Sequence, residues 1–136
     1  MVKNLTWEAI QSMPLSVLSP AVLTTNGSNL IFTSGAIGAD PATDKIPEDI
    51  TSQAELAFQN LLKVLEVSGS SASKILKVLL FVGHPSYGPA VNKVYTKYFP
   101  GAPARSCIVV AFPNPSIKVE IECIAEYEPK SIKAKF

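Results

Sequence analysis

Arg105 opens the apolar run RSCIVVAF at 105–112, and Glu120 lies in a second such run, VEIECIAEY at 119–127. Arginine is almost never fully buried unless it is paired, so a strand that begins with one either leaves it at a wet edge or holds it for an anion. Two readings follow from the residue types. In one, Arg105 and Glu120 form a structural ion pair across adjacent strands. In the other, the guanidinium forks onto a substrate carboxylate while Glu120 places a water for attack. Residue type and spacing leave both open. Ser34-Gly35 closes a β-prone segment, and its backbone N–H groups could serve an anion, although such turns are common as plain structure. Asn92 falls in a helical stretch, where it either reaches a ligand or faces water. His84, beside Pro85, reads as a surface loop residue.

Other chemistries have little to work with. The chain has no GxSxG elbow, no Cys–His pair at a nucleophile's spacing and no phosphate-cradling loop. Cys107 and Cys123 both lie in apolar, β-rich runs, where cysteine behaves as a small hydrophobe. One histidine and two cysteines are too few for a zinc or iron centre, so no metal is expected.

The elements that must position these residues are readable from periodicity. Val22–Thr25 and Leu30–Thr33 are β-prone and flank the turn dipeptide Asn26-Gly27, which predicts a hairpin. Residues 35–47 read as loop. Ser52 and Glu55 match a capping box, and Ala54, Ala57, Leu61, Val64 and Leu65 keep helical spacing, so a helix is expected over 52–67. ILKVLLFV at 75–82 has the length and continuity of a strand covered on both faces. A second helix is expected over 86–99, with Pro89 in its first turn, and strands over 105–112 and 117–127 are split by Pro113-Asn114-Pro115-Ser116.

A chain of 136 residues fits one domain, here 1–136 with its core at about 18–128 and a polar, frayed tail over 129–136. Twelve basic and 11 acidic residues leave a net charge of +1, too little to draw nucleic acid or an anionic membrane. No stretch approaches the length of a membrane span, and the N-terminus has neither a signal-peptide core nor a transit-peptide composition, so the cytoplasm is the expected compartment.

Strand parity carries one further expectation. Arg105, Cys107, Val109 and Ala111 share one face, Ser106, Ile108 and Val110 the other, and both faces are apolar after the start. Two helices cover only one side of a sheet, so the other side needs a partner, which predicts an obligate oligomer.

PARSC at 103–107, VEIECIAEY at 119–127, TSG at 33–35 and VNKVYTKYF at 91–99 together resemble the YjgF/Rid family, also called the L-PSP or perchloric-acid-soluble proteins, over about residues 18–128. The resemblance implies an α+β fold similar to chorismate mutase of the Bacillus type, with two helices on one face of a mixed sheet, and a homotrimer with sites between subunits. It also implies hydrolysis of reactive 2-imino acids such as 2-iminobutanoate and 2-iminopropanoate to 2-keto acids and ammonia, with no cofactor. Carried across, Arg105 would bind the carboxylate, Glu120 and the backbone carbonyl of Cys107 would position the water, and Ser34, Gly35 and Asn92 would line the pocket. Three departures stand out: Ala21 where the family pattern has tyrosine, Ala36 where it has glutamine, and Phe112-Pro113-Asn114-Pro115 in place of Leu-Pro and a charged residue. Other activities attached to the resemblance are endoribonuclease or translation inhibition and non-catalytic binding of small carboxylates by a trimer.

Overall fold

The computed structural model describes residues 2–16, 18–25, 27 and 29–134. Seven strands form one mixed sheet: β1 (Val2–Asn4), β2 (Ala21–Thr24), β3 (Leu30–Thr33), β4 (Ala36–Ile37), β5 (Ile75–Val82), β6 (Ala104–Val109) and β7 (Val119–Glu126). They run in the order β1-β2-β3-β7-β5-β6, with β4 also pairing β7. Helices α1 (Ile50–Val67) and α2 (Gly88–Tyr98) lie on one side of the sheet, giving an α+β architecture. The β2–β3 hairpin forms as its sequence predicts, with Gly27 at φ +81°, a conformation that favours glycine. Asn26 of that turn lies outside the described residues.

Every strand pair is antiparallel except β5 with β6. α2 is the crossover that makes this one parallel pair possible, since parallel neighbours cannot be joined by a tight turn. β7, the last strand, then inserts between β3 and β5 rather than beside β6. This overturns the expectation that Arg105 and Glu120 sit on adjacent strands. β5 stands between them, and its register pairs Val78 with Arg105 on one side and Phe81 with Glu120 on the other.

α1 begins three residues earlier than a cap at Ser52 would allow. Asp49 is the N-cap and its carboxylate accepts from the Ser52 N–H at 2.8 Å, leaving Ser52 inside the first turn. Glu55 accepts instead from Tyr98 Oη at 2.8 Å and from Lys97, tying α1 to α2. Ala54, Ala57, Phe58, Leu61 and Leu65 are fully buried against the sheet, where Val78, Leu80, Val119, Ile121 and Ala125 meet them. α2 starts at Gly88, after a short 3-10 turn over Pro85–Tyr87, and buries Val91, Val94 and Tyr95.

Two segments expected to lack structure are ordered. β4 arises inside the 35–47 loop, where Ala36 pairs with Ile121 and Ile37 with Glu120. The tail is docked rather than frayed as far as Ala134: the N–H groups of Lys133 and Ala134 both donate to the Val67 carbonyl, at 2.9 and 3.0 Å, closing the C-terminus of α1. Residues 135 and 136 lie outside the described residues. Among the described residues no helix is long and apolar enough to cross a membrane.

Candidate functional site

Arg105 is the second residue of β6 and, in register with the buried Val78, points to the helix-covered side of the sheet. α2 does not extend far enough to bury it, and the side chain stays half-buried at the sheet edge. Nη1 donates to Asn92 Oδ1 at 2.9 Å, and the guanidinium carbon lies 4.6 Å from the centre of the Tyr95 ring. Both partners are neutral. Among the described residues no carboxylate pairs with Arg105. The structural ion pair with Glu120 is therefore not formed within the chain.

Cys107 shares the face of Arg105, and its side chain is exposed. The Val110 N–H donates to the Val82 carbonyl at 2.9 Å. Alternation along the strand then turns the backbone groups of Arg105, Cys107 and Val109 toward the outer edge of β6, which among the described residues pairs with no other strand. The Cys107 carbonyl thus faces outward in the plane of the sheet.

Glu120 points to the opposite, helix-free face, in the row Glu120, Phe81, Ile108. Burial pushes its carboxyl pKa above the usual value, and the neighbouring charge of Glu122, on the same face, adds to the rise. Gly35 is what lets the carboxylate lie where it does. A Cβ on Gly35 would stand 2.7 Å from the Glu120 carboxyl carbon and 2.7 Å from Oε2. Ser34 is pinned rather than free: its N–H donates to the Pro20 carbonyl at 2.8 Å and its hydroxyl to the Ser19 carbonyl at 2.6 Å. The segment before β2 is thereby fixed to the Ser34-Gly35 turn.

The six predicted residues fall into two half-sites. Arg105, Asn92 and the Cys107 backbone form one, at the outer edge of β6, and Glu120, Gly35 and Ser34 the other, with the Arg105 and Glu120 side chains on opposite faces of the sheet. Tyr95 is the neighbour that residue patterning missed, because a tyrosine at helical spacing reads first as core. Its signal was its place one turn after Asn92, which puts both on one stripe of α2.

The remaining candidates play other parts. Burial pushes the Cys123 thiol up to about 12, so it stays protonated and unreactive. His84 is exposed, and its Nδ1 accepts from the Ser86 N–H at 3.1 Å, as suits a loop residue. Ala21 is 1% exposed and belongs to the core. Among the described residues no cluster of three or more His, Cys, Asp or Glu side chains has the arrangement of a metal site.

Comparison with known proteins agrees with this fold. Residues 11–127 match the family described as Endoribonuclease L-PSP. The chain is 36% identical over 115 residues to a RutC family protein of Haemophilus influenzae, covering 81% of this chain and 88% of that one. It is 33% identical over 121 residues to the 2-iminobutanoate/2-iminopropanoate deaminase of Escherichia coli (strain K12), covering 86% and 94%. Among solved structures, that of E. coli TdcF with bound serine superposes with a TM-score of 0.80 at 28% identity, covering 93% of this chain and all of that one. The match over most of the chain and the shared sheet-and-two-helix architecture make the chain a member of the YjgF/Rid, or L-PSP, family.

Proposed function

We propose that the protein hydrolyses 2-imino acids to 2-keto acids and ammonia in sites assembled between copies of the chain. The observation that carries this reading is the unneutralised charge of Arg105. A guanidinium fixed by an amide oxygen and an aromatic face keeps its positive charge and most of its N–H donors for an incoming carboxylate. A serine-bound relative and relatives named for imine deamination are consistent with a small carboxylate in that place.

Glu120 belongs to the same chemistry from a neighbouring copy. Because its half-site faces away from Arg105, a water-positioning carboxylate meets the bound substrate only when two chains adjoin, which a homotrimer with cyclic symmetry supplies. In such a site the water oxygen bonds to C2 of the protonated imine, the π pair moves onto nitrogen, and Glu120 takes the proton released. The outward Cys107 carbonyl accepts the water's second hydrogen and fixes its approach. Glu120 then returns its proton to the nitrogen of the tetrahedral intermediate. Ammonia leaves as the C2 hydroxyl closes to the ketone, and the hydroxyl proton follows to the ammonia. The raised pKa of Glu120 suits a group that must both accept and donate.

Deamination is tested by adding the purified protein to a threonine dehydratase reaction and trapping free imine with semicarbazide. The protein is expected to speed keto-acid release and suppress the trapped product, and Arg105→Ala to lose that effect. Equal activity in parent and variant would sink the proposal. The endoribonuclease description of the family is less well served by this chain, since a net charge of +1 offers RNA phosphates few contacts.

A further inference from the structure

α2 presents two consecutive turns of neutral surface to Arg105. Asn92 holds one nitrogen at 2.9 Å, and Tyr95 lies beneath the guanidinium at 4.6 Å. Tyr95 is itself rigid: it is 7% exposed, with Phe58 edge-on at 5.9 Å and Phe99 tilted against it at 4.8 Å. Among the described residues its buried hydroxyl has no hydrogen-bond partner, an arrangement that disfavours folding. A phenylalanine would spare that penalty and keep the same ring over Arg105, so the hydroxyl is not what the contact uses. What the ring offers Arg105 is its electron-rich face.

An arginine side chain has many rotamers, and only some of them aim its fork at the sheet edge. A carboxylate could hold it equally well, but would cancel the charge that substrate needs. An amide oxygen and a π-face fix the direction and leave the charge in place. We infer that Tyr95 is a positioning residue for substrate binding, its ring face holding Arg105 in the orientation that receives a carboxylate. The inference rests on the reading of Arg105 as the carboxylate binder. Loss of ring electron density lowers the fraction of molecules with Arg105 correctly aimed, and apparent affinity falls by that fraction.

The test uses the assembled protein and 2-oxobutanoate as probe, with binding measured by calorimetry. Tyr95→Phe removes the hydroxyl and keeps the ring. Replacing Tyr95 by 4-fluoro- and 3,4,5-trifluorophenylalanine then drains the ring face at nearly constant shape. Tyr95→Phe is expected to bind within about two-fold of the parent, and the trifluoro variant about ten-fold more weakly, with the monofluoro between them. In the imine assay the rise should appear in KM, with kcat changing less than about two-fold. Thermal melts across the fluorinated series report on packing and should stay level. If affinity is the same across that series while Arg105→Ala abolishes binding, Tyr95 is packing only and the inference is overturned. If the parent fails to bind 2-oxobutanoate, or Arg105→Ala binds it equally, the carboxylate reading itself fails and takes this inference with it.

Discussion

Glu120 shows how the surroundings of one carboxylate set two opposing consequences. Its pKa lies above the ordinary 4.5 because burial and Glu122 disfavour the charged form. In the proposed reaction it acts as a base and must be ionised, so deamination is expected to fall as the solution is acidified, beginning at a higher pH than for an exposed glutamate. A pH–kcat/KM profile reads this directly. Stability moves the other way. The folded state holds the proton more tightly than the unfolded chain, so the favourable contribution is complete below the unfolded value and fades as pH rises through the folded one. Glu120→Gln is therefore expected to lower kcat by about 10²- to 10⁴-fold, the usual range for a lost acid–base group, while raising Tm at neutral pH. A variant that lost activity and Tm together would contradict this. Gly35→Ala tests the geometry instead: the new methyl displaces the flexible end of Glu120, and a shift of about 1 Å can cost about 100-fold in rate with little change in Tm. These residues were legible as candidates because arginine and glutamate are conspicuous in apolar strands. Their separation onto opposite faces was not, because it depends on which strand lies between them.

At the scale of elements, Gln53 ties together parts of the fold that are distant in sequence. It is fully buried, its amide nitrogen donates to the Pro47 and Ser116 carbonyls at 2.7 and 2.8 Å, and its Oε1 accepts from the Lys118 N–H at 3.0 Å. α1 is thereby fixed to the turn that leads into β7 and so to the approach of Glu120. Gln53→Leu would leave three backbone groups without their partner at a partly buried place, at up to about 1–3 kcal/mol for each group that water does not reach. A loss of several degrees in Tm is expected, and an unchanged melt would show that water reaches the site. Both helices were legible from their apolar spacing, and so was the hairpin. The start of α1 was misread because Ser52 and Glu55 imitate a capping box, while Asp49 makes the actual cap and Glu55 turns to Tyr98. β4 escaped notice because two residues are too few for a period, and it exists only through its pairing with β7.

At the scale of the molecule, the helices cover one face of the sheet and leave Phe32 and Ile108 exposed at 44% and 45% on the other, beside Leu79, Phe81 and Ile124. Strand parity made this one-sidedness legible before any tertiary contact was known; the strand order was not, because it is fixed by non-local pairing. Light scattering at micromolar concentration is expected to return the mass of a trimer, and Ile108→Asp to shift it toward the monomer by placing a charge in the apolar face. A monomeric parent would remove the basis for a shared site. The proposed sharing of the site between chains also has a genetic meaning. A chain lacking Arg105 and a chain lacking Glu120 would each be silent alone, yet each still carries what the other lacks. Co-assembled from equal amounts of Arg105→Ala and Glu120→Gln chains, about one interface in four would receive both intact halves. Two null alleles would thus complement one another, whereas a single double-mutant allele, mixed with wild type, would act as a partial poison of its partners.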